Sequence, residues 1–510
     1  FSIAAFSEEV KSYSEFVEGK KHQQGYFSFY HDEDEGKIYL QIDQFEQDFL
    51  FQSGLPQGVG SNDIGLDRGQ LGETRLVRFE KVGQKVFLRQ LNTYYRANTN
   101  NKLEKQAVEE AFASSIIWGF KVASQSKDGK KVLIDYTPFL LSDIHQLSTK
   151  LKKRKQGNFS IDLSRSGIYA KRSKAFPNNT ELEATVTYKG SDAGEHLRTV
   201  TPDSTAVTVN LHHSLIKLPD DNYQSRAFHP YSGFWSNSYA DYASDIDQPL
   251  IQRSIPRHRL NKKDVTLAIS EAVEPIIYYL DAGVPEPIKS ALLDGARWWD
   301  QAFSAIGYKN AFQVKMLPAD ADPMDVRYNV IQWVHRATRG WSYGASVIDP
   351  RTGEILKGHV TLGSLRVRQD YLIALGLTSP FTEKETDTSE MKEMALARIR
   401  QLSAHEVGHT LGIAHNFAAS ANNRASVMDY PHPLITLKNG KIDLSNAYAT
   451  DIGTWDKSVI AYGYADVLAE QEEAYLANVI ATAQSNGLQY MSDSDARSSS
   501  SAHSTGHLWD

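Results

Sequence analysis

The amino-acid sequence predicts an α+β fold, in which a β-rich N-terminal region is followed by a region of alternating strands and helices. Two observations lead to this prediction. Short runs that alternate between apolar and polar residues dominate residues 25–190, and apolar residues at helical spacing separate strand-like runs after residue 263. Since 510 residues correspond to about two to four domains, we expect a β-rich region at 1–215, a linker or strap at 216–262 and a second domain at 263–510.

The first region carries the alternation that is typical of antiparallel strands. Gly, Asn and Asp residues separate the clearest runs, which lie at residues 37–42, 74–81, 85–91 and 182–188. One helix is expected among them at residues 142–155, stopping at Gly157. Its last residues are basic, and we interpret them as a solvated helix end whose cations complement the helix dipole.

Periodicity disappears in residues 216–262, where Pro, Ser and Asp alternate with aromatic side chains. A long irregular stretch inside a compact protein is either a linker or a strap that lies across a functional surface. The aromatic content favours a strap packed on its neighbours. The aromatic residues are Tyr223, Phe228, Tyr231, Phe234, Trp235, Tyr239 and Tyr242.

The region after residue 263 alternates between strands and helices. We expect a buried strand at residues 274–280 and an amphipathic helix at 285–306. Further strands are expected at residues 312–316 and 330–334, followed by a hairpin over 346–363 that turns at 350–353. A long helix with an apolar face begins at about Ser389.

Composition excludes several classes of protein. Hydrophobic residues make up 41% and charged residues 23%, which is typical of a globular chain with ample core. The formal net charge of −7 provides no general attraction to nucleic acid or anionic membranes, and no apolar run approaches the length of about 18 residues that a membrane span needs. The oligomeric state is not predicted. Because the chain has no cysteine, any metal must be bound by His, Asp or Glu.

The long helix runs into a segment with the spacing of a metal site. His405 and His409 are four residues apart, so both imidazoles lie on one helix face and can reach one ion. Glu406 then lies beside the open position of the metal. His415 cannot join them from the same straight helix, since ten residues advance the axis by about 15 Å. The chain must turn back, and Gly412 can do so because glycine enters the left-handed region at little cost.

A second motif follows, and its methionine, Met428, lies thirteen residues after His415. Residues 426–430 (SVMDY) resemble the Met-turn of the metzincin clan of zinc peptidases. The resemblance implies that Met428 forms an apolar floor beneath the three imidazoles. It also implies that Tyr430 approaches the zinc ion and donates a hydrogen bond to the oxyanion, although a tyrosine at this position can equally be structural.

The chain as a whole resembles large bacterial zinc metallopeptidases that are known mainly through domains of unknown function. The resembling stretches are residues 58–70, 164–178, 349–363, 405–420 and 426–433. The resemblance implies a metzincin-like catalytic domain with a mixed sheet, a backing helix, an active-site helix and a Met-turn subdomain. It further implies export to the periplasm, cell surface or exterior, and a chain that continues beyond Asp510, so that we expect this sequence to be a fragment.

These motifs predict a zinc endopeptidase with one catalytic Zn²⁺ held by His405, His409 and His415. Glu406 is expected to take a proton from zinc-bound water and to deliver it to the leaving amine of a protein or peptide substrate. In metzincins an edge strand above the zinc pairs with the substrate. Our candidate is residues 356–362, with Lys357, Gly358, His359 and Val360 as the contacting residues.

Other interpretations remain open at this stage. The protein is either a peptidase or a zinc-bearing but inactive binding or adhesion protein in which the β-rich region is the functional module. The role of residues 1–262 is also open. They are a structural support, a binding domain, or a pro-region that keeps the peptidase inactive by a means other than a cysteine. His212 and His213 are adjacent in a predicted strand and point to opposite faces, so we do not expect them to share an ion.

Overall fold

The computed structural model describes residues 12–337, 341–378 and 388–497, and it divides into two compact units. The first unit comprises the chain up to Asp220 together with Ala240–Leu250 and Met324–Val326. The second unit comprises the other described residues. The predicted strap at 216–262 is therefore not one element, because residues 240–250 belong to the first unit and its flanks from 221 onward to the second.

The first unit is β-rich, as predicted. Its strands are β1 (Lys21–Gln23), β2 (Phe29–Asp32), β3 (Lys37–Ile42), β4 (Asp48–Gln57), β5 (Gln70–Val82), β6 (Lys85–Gln90), β7 (Tyr95–Arg96), β8 (Ser115–Gln125), β9 (Val132–Asp135), β10 (Asn158–Ile161), β11 (Gly167–Ile168), β12 (Lys174–Phe176), β13 (Asn179–Ser191) and β14 (Ala206–Lys217). Its helices are α1 (Tyr13–Val17), α2 (Lys102–Ala111), α3 (Thr137–Leu140), α4 (Leu147–Lys153) and α5 (Glu195–Val200).

Thirteen of these strands form one antiparallel sheet. The order is β1-β2-β3-β9-β8-β6-β5-β4-β14-β13-β10, with β11 and β12 also paired to β13. The core of the unit packs against this sheet and is rich in aromatic side chains, such as Phe27, Phe49 and Phe79, whose ring centroids are 5.0–5.4 Å apart. The four predicted strands all lie in this sheet.

The helix predicted at residues 142–155 is shorter than expected. It is α4, which begins at Leu147 after Gln146 takes a left-handed φ of 58°. The Asp143 carboxylate accepts hydrogen bonds from the backbone N–H groups of Leu147 and Ser148. This capping aspartate fixes the helix start within the predicted segment and leaves residues 142–146 as a turn.

The adjacent histidines of β14 point to different surroundings, as predicted. His212 is buried between two carboxylates of β13, with Nε2 2.5 Å from Glu181 and Nδ1 3.4 Å from Glu183. His213 lies on the other face of the strand, where its Nδ1 is 3.2 Å from the Tyr136 hydroxyl. Burial lowers the pKa of His212, but hydrogen bonds and charges from the two glutamates outweigh it and raise this pKa to about 10.

The second unit contains the predicted alternation of strands and helices. Its strands are β15 (Arg226–Ala227), β16 (Asn237–Asp241, of which Ala240 and Asp241 belong to the first unit), β17 (Ile251–Ile255), β18 (Ser270–Glu271), β19 (Ile276–Leu280), β20 (Tyr308–Lys309), β21 (Phe312–Met316), β22 (Asn329–Val334), β23 (Tyr343–Ile348), β24 (Ile355–Gly363), β25 (Thr436–Lys438) and β26 (Lys441–Asp443). Its helices are α6 (Ile288–Arg297), α7 (Trp299–Ala305), α8 (Arg366–Thr378), α9 (Ser389–Thr410), α10 (Thr454–Tyr464), α11 (Glu472–Ser485) and α12 (Asp493–Arg497).

A five-stranded mixed sheet organises this unit. Its order is β21-β19-β22-β24-β23, and only β23 is antiparallel to its neighbour. The helix predicted at residues 285–306 is divided into α6 and α7, because the N–H of Trp298 bonds the carbonyl three residues back, at Gly295. A Cβ on Gly295 would lie 1.9 Å from the carbonyl oxygen of Arg400, so glycine permits α6 to pack directly on α9.

Part of the aromatic segment lies against the residues that follow α9. Phe234 forms an isolated antiparallel bridge with Ile413, and the N–H of Trp235 donates to the carbonyl of Gly412 at 3.0 Å. The N–H of Ala414 in turn donates to the carbonyl of Gly233 at 2.8 Å. This part of the segment therefore runs along the residues that follow α9.

Candidate metal centre

The C-terminal end of α9 carries the first residues of the candidate site. His405 and Glu406 are buried in the helix, and His409 lies one turn beyond His405 on the same face. The helix ends at Thr410, and Gly412 then takes a φ of 94°. A Cβ at Gly412 would also lie 2.0 Å from the carbonyl oxygen of Pro256. Glycine is thus required both by the backbone conformation and by the space available.

This reversal brings the third imidazole back to the first two. The Nε2 atom of His409 lies 3.1 Å from the Nε2 of His405 and 3.1 Å from that of His415. The three histidines are the one group in the described part of the chain whose ligand atoms cluster as a metal site requires.

The other ring nitrogen of each histidine faces an oxygen acceptor. The Nδ1 atoms lie 2.8 Å from the Val427 carbonyl for His405 and 2.9 Å from the Ile413 carbonyl for His409. The Nδ1 of His415 lies 2.9 and 3.0 Å from the two carboxylate oxygens of Asp493. These acceptors hold the proton on Nδ1, so each Nε2 presents its lone pair to the shared point.

Burial keeps the imidazoles of α9 neutral. It lowers the pKa of His405 well below its usual value and that of His409 to about 4, and the neighbouring imidazoles add to the effect. A metal ligand must be unprotonated at the coordinating nitrogen, so this environment suits metal binding.

The donor set fits zinc. Three imidazole nitrogens are a common protein ligand set for catalytic Zn²⁺, and ligands at about 2.0–2.1 Å from a tetrahedral ion lie roughly 3.3 Å from each other. The observed Nε2 separations of 3.1 Å are close to that spacing. His405, His409 and His415 are therefore the residues that would hold the ion.

The Met-turn lies directly under the helix. Met428 is fully buried, and a Cβ on Gly408 would lie 2.3 Å from its sulfur atom. The turn is fixed by Asp456 of α10, whose carboxylate accepts from the Ser426 hydroxyl at 2.5 Å and from the Val427 N–H at 2.9 Å. Since Val427 also supplies the acceptor for His405, the turn orients a metal ligand as well as covering the helix.

Glu406 faces a large cavity of about 1160 Å³. The cavity is also lined by Arg398 and Leu402, which precede Glu406 by two turns and one turn of α9. Burial raises the pKa of Glu406 to about 8, opposed by Arg398, by Arg336 and by a hydrogen bond from the Gly344 backbone. A bound dication would act in the opposite direction to burial and favour the carboxylate.

Tyr430 lies beside the histidines. Its ring centroid is 5.1 Å from that of His405 and 4.7 Å from that of His415, and 48% of the residue is exposed. On another side of the cluster, the ring of Trp235 lies 6.3 Å from His409 and 6.4 Å from His415. The aromatic segment therefore reaches the site. The sequence indicated a strap that lies across a functional surface, but not which surface.

The predicted edge strand is wrong. Residues 356–362 belong to β24, which lies between β22 and β23 inside the sheet. Two of their polar side chains have partners inside the unit: the Lys357 ammonium donates to the Pro323 carbonyl at 2.7 Å, and the His359 Nε2 is 3.2 Å from the Gln332 side chain. A Cβ at position 358 would collide with the Tyr278 hydroxyl, so glycine is needed there, and Val360 is buried in the core.

The sheet edge next to the site is instead β23. Among the described residues its outer side pairs with no other strand. A Cβ on Gly344 would lie 2.5 Å from the Glu406 carbonyl oxygen, so the strand runs very close to α9. A second cavity of about 220 Å³ is lined by Ala345 and Ser346 of this strand together with Trp235 and His409.

Two residues that orient the site and one that lines its cavity were missed at the sequence level. Asp493 and Asp456 are single aspartates, far along the chain from the ligands that they position, and no local pattern marks them. Arg398 is at i, i+4, i+8 spacing with Leu402 and Glu406, which is a recognisable helix face, but the sequence does not show which side of the helix meets a cavity.

Two helix-borne histidines, the glutamate between them, a third histidine after a glycine turn and a methionine beneath them define a zinc site of the metzincin type. The comparison with family models agrees: residues 387–510 match the family described as Met-zincin, and this part of the chain is metzincin-like. Residues 69–263 match a domain of unknown function (DUF5117). None of the curated proteins compared with the chain matches it.

The match and the three-histidine cluster together support a zinc metallopeptidase in general, with a peptide as its substrate. They confirm the resemblance to metzincins that the two sequence motifs indicated. Within the described ranges, no helix is both long and apolar enough to cross a membrane.

Proposed function

We propose that the protein is a zinc-dependent endopeptidase in which Glu406 moves protons during hydrolysis of a peptide bond. The proposal depends on one observation above all: the three Nε2 atoms converge beside a glutamate that lines an open cavity. Zinc bound by three neutral imidazoles lowers the pKa of a water molecule and polarises a carbonyl oxygen. We infer one such ion per chain.

Glu406 supplies the proton transfers. Its carboxylate accepts a proton from the attacking water and then donates it to the nitrogen of the leaving amine, which is the role of a general base followed by a general acid. Its place on the rigid helix α9, buried and one residue from His405, holds the carboxylate in one orientation. Tyr430 is exposed enough to contact substrate, and its phenol donates a hydrogen bond to the oxygen that becomes negative.

The substrate lies along β23 in this proposal. An extended peptide can add to the free side of an edge strand through backbone hydrogen bonds, and β23 lies next to α9 with a cavity along Ala345 and Ser346. The large cavity at Glu406 then receives a substrate side chain. Export of the protein remains an expectation from the family resemblance, and fractionation of the producing cells would test it.

The substitution Glu406→Gln tests the proposal. It should leave about one zinc per chain, because Glu406 is not a ligand, and lower kcat on a peptide substrate by about 10²- to 10⁴-fold. Tyr430→Phe should lower kcat by about 10²- to 10³-fold with zinc retained. Cleavage products by mass spectrometry and zinc by atomic absorption are the two measurements.

Glu393→Gln is the matched control, since Glu393 is an exposed glutamate of the same helix. It should behave like the wild type. Unchanged turnover in Glu406→Gln, or a zinc-loaded wild type that cleaves no peptide of a degenerate library, would refute the proposed activity.

A further inference from the structure

The large cavity beside Glu406 is lined by two arginines, Arg366 and Arg398, of which Arg398 lies on the same helix as Glu406. Arg398, Leu402 and Glu406 follow each other along one face of α9 and all line the cavity, while apolar side chains such as Leu372 and Pro431 line other parts of it. Arg398 and Glu406 are eight residues apart, so about 12 Å of helix separates them. The arginine and the glutamate therefore occupy different ends of this wall.

Arg398 is buried, and no carboxylate of the described residues forms an ion pair with it. Only 4% of the residue is exposed, and its Nε and Nη1 atoms have no hydrogen-bond partner in the described part of the chain. Its guanidinium lies 5.7 Å from the ring centroid of Tyr448, which is a cation–π contact. A guanidinium remains protonated even when it is buried, so the unpaired N–H groups carry a substantial free-energy cost.

The nearest carboxylate pairs with a different arginine. Asp370 of α8 is fully buried, and its two oxygens lie 3.1 and 3.2 Å from the Nη2 and Nε of Arg366. No ion pair joins Asp370 to Arg398 among the described residues, although the two charges are close enough to influence each other. Asp370 therefore does not satisfy Arg398, and a ligand that reaches the Arg398 end of the cavity meets a guanidinium with unpaired N–H groups.

We propose that this cavity selects an acidic substrate side chain, glutamate or aspartate, and that Arg398 is the specificity-determining residue that binds its carboxylate. The inference rests on the proposed peptidase function. A planar carboxylate matches the N–H groups of a guanidinium in paired hydrogen bonds, and the burial of Arg398 strengthens this contact. An apolar or basic side chain in the same place leaves the buried guanidinium unsatisfied, and a neutral amide accepts a hydrogen bond without balancing the charge.

A series of matched peptides tests the proposal on the zinc-loaded full chain. A degenerate library first locates the cleaved bond, and one peptide is then made with Glu, Gln, Leu or Lys at each position next to that bond. At one position the Glu peptide should exceed the Gln peptide in kcat/KM by about 10- to 100-fold, as expected for a buried charge-assisted hydrogen bond. Arg398→Met should bring this ratio close to one.

Two further variants separate specificity from a structural role. Arg400→Met changes an arginine of the same helix that lies outside the cavity and faces Asp294 at 3.6 Å, so it should keep the preference for Glu. Arg398→Lys keeps the positive charge and loses the paired N–H groups of the guanidinium, so we expect an intermediate Glu/Gln ratio of kcat/KM. This variant replaces Arg398→Met in the test if the Met variant does not fold. A structural role for Arg398 lowers kcat/KM for every peptide equally and leaves the Glu/Gln ratio unchanged, which would overturn the proposal.

Binding to the zinc-loaded Glu406→Gln chain distinguishes this inference from the proposed function. Fluorescence anisotropy should show tighter binding of the Glu peptide than of the Gln peptide, and Arg398→Met in the same background should abolish the difference. Such binding without cleavage by the wild type rejects the peptidase and keeps the acidic pocket. Cleavage without any Glu preference, or a preference that survives Arg398→Met, keeps the peptidase and rejects the pocket.

Discussion

The two units each bury histidines close together, and the surroundings give these histidines opposite properties. In the first unit His212 lies between Glu181 and Glu183, which raise its pKa to about 10 and keep it charged. In the second unit His405 and His409 face another imidazole and have lowered pKa values. The first arrangement is a buried ion pair, and the second directs three Nε2 atoms to one point.

The difference shows that the partner of the second ring nitrogen decides what a buried histidine can do. His212 has carboxylates on both nitrogens, so no lone pair is left for a metal. His405, His409 and His415 each have an acceptor on Nδ1 alone, which leaves Nε2 for coordination. Burial of a histidine is therefore compatible with either role.

Among the substitutions that test this comparison, the one that removes the buried ion pair of the first unit should have the largest effect on stability. His212→Leu leaves Glu181 and Glu183 buried beside each other without a cation, and it should lower the free energy of unfolding by about 3–5 kcal/mol. The zinc content should stay unchanged. Urea unfolding followed by circular dichroism gives the first quantity.

An exposed ion pair of the same unit provides the control. Lys21 and Glu33 are 2.6 Å apart, with more than half of each side chain exposed, so Glu33→Ala should cost at most about 1 kcal/mol. Equal effects of the two substitutions would contradict the view that His212 is held as a buried ion pair.

The next effect concerns the acceptor that orients His415. Asp493→Ala removes the carboxylate at 2.9 Å from Nδ1 and should weaken zinc binding by about 10- to 100-fold. Competition with a fluorescent zinc chelator measures the dissociation constant, and the exposed Asp320 substituted by alanine is the control. Unchanged zinc affinity in Asp493→Ala would mean that this aspartate does not support the ligand.

The smallest effect, counted per pH unit, is a dependence of stability on pH. Because the pKa of His212 is raised in the folded chain, its contribution is complete below about pH 6.5, the unfolded value, and is lost as the pH rises toward about 10. The difference in unfolding free energy between wild type and His212→Leu should shrink between pH 7 and pH 10, by up to about 1.4 kcal/mol per pH unit. A difference that stays constant over this range would show that the histidine is not charged.

The zinc motif and the Met-turn could be predicted because their geometry is local. Spacing along one helix puts His405 and His409 on one face, and the glycine requirement at position 412 follows from backbone sterics. The strands of the first unit were also predictable, since alternation of apolar and polar residues reports directly on a half-buried sheet.

The features that could not be predicted depend on contacts between distant parts of the chain. The sequence does not show which strand of the 346–363 hairpin lies at the edge of the sheet. The polar Lys357 and His359 of β24 suggest an edge, but β24 lies between β22 and β23. The division between α6 and α7 is equally invisible in the apolar pattern. Asp493 lies 78 residues beyond its partner His415, and only the folded chain brings them together.

The zinc content of the purified chain tests the central claim most directly. After incubation with Zn²⁺ and removal of excess metal, the wild type should retain about one zinc per chain, and His409→Ala should retain close to none, because two imidazoles remain of three. His212→Leu, which removes the other kind of buried histidine, should still retain one. A wild type without bound zinc, or a His409→Ala variant with a full equivalent, would contradict the assignment of the metal centre.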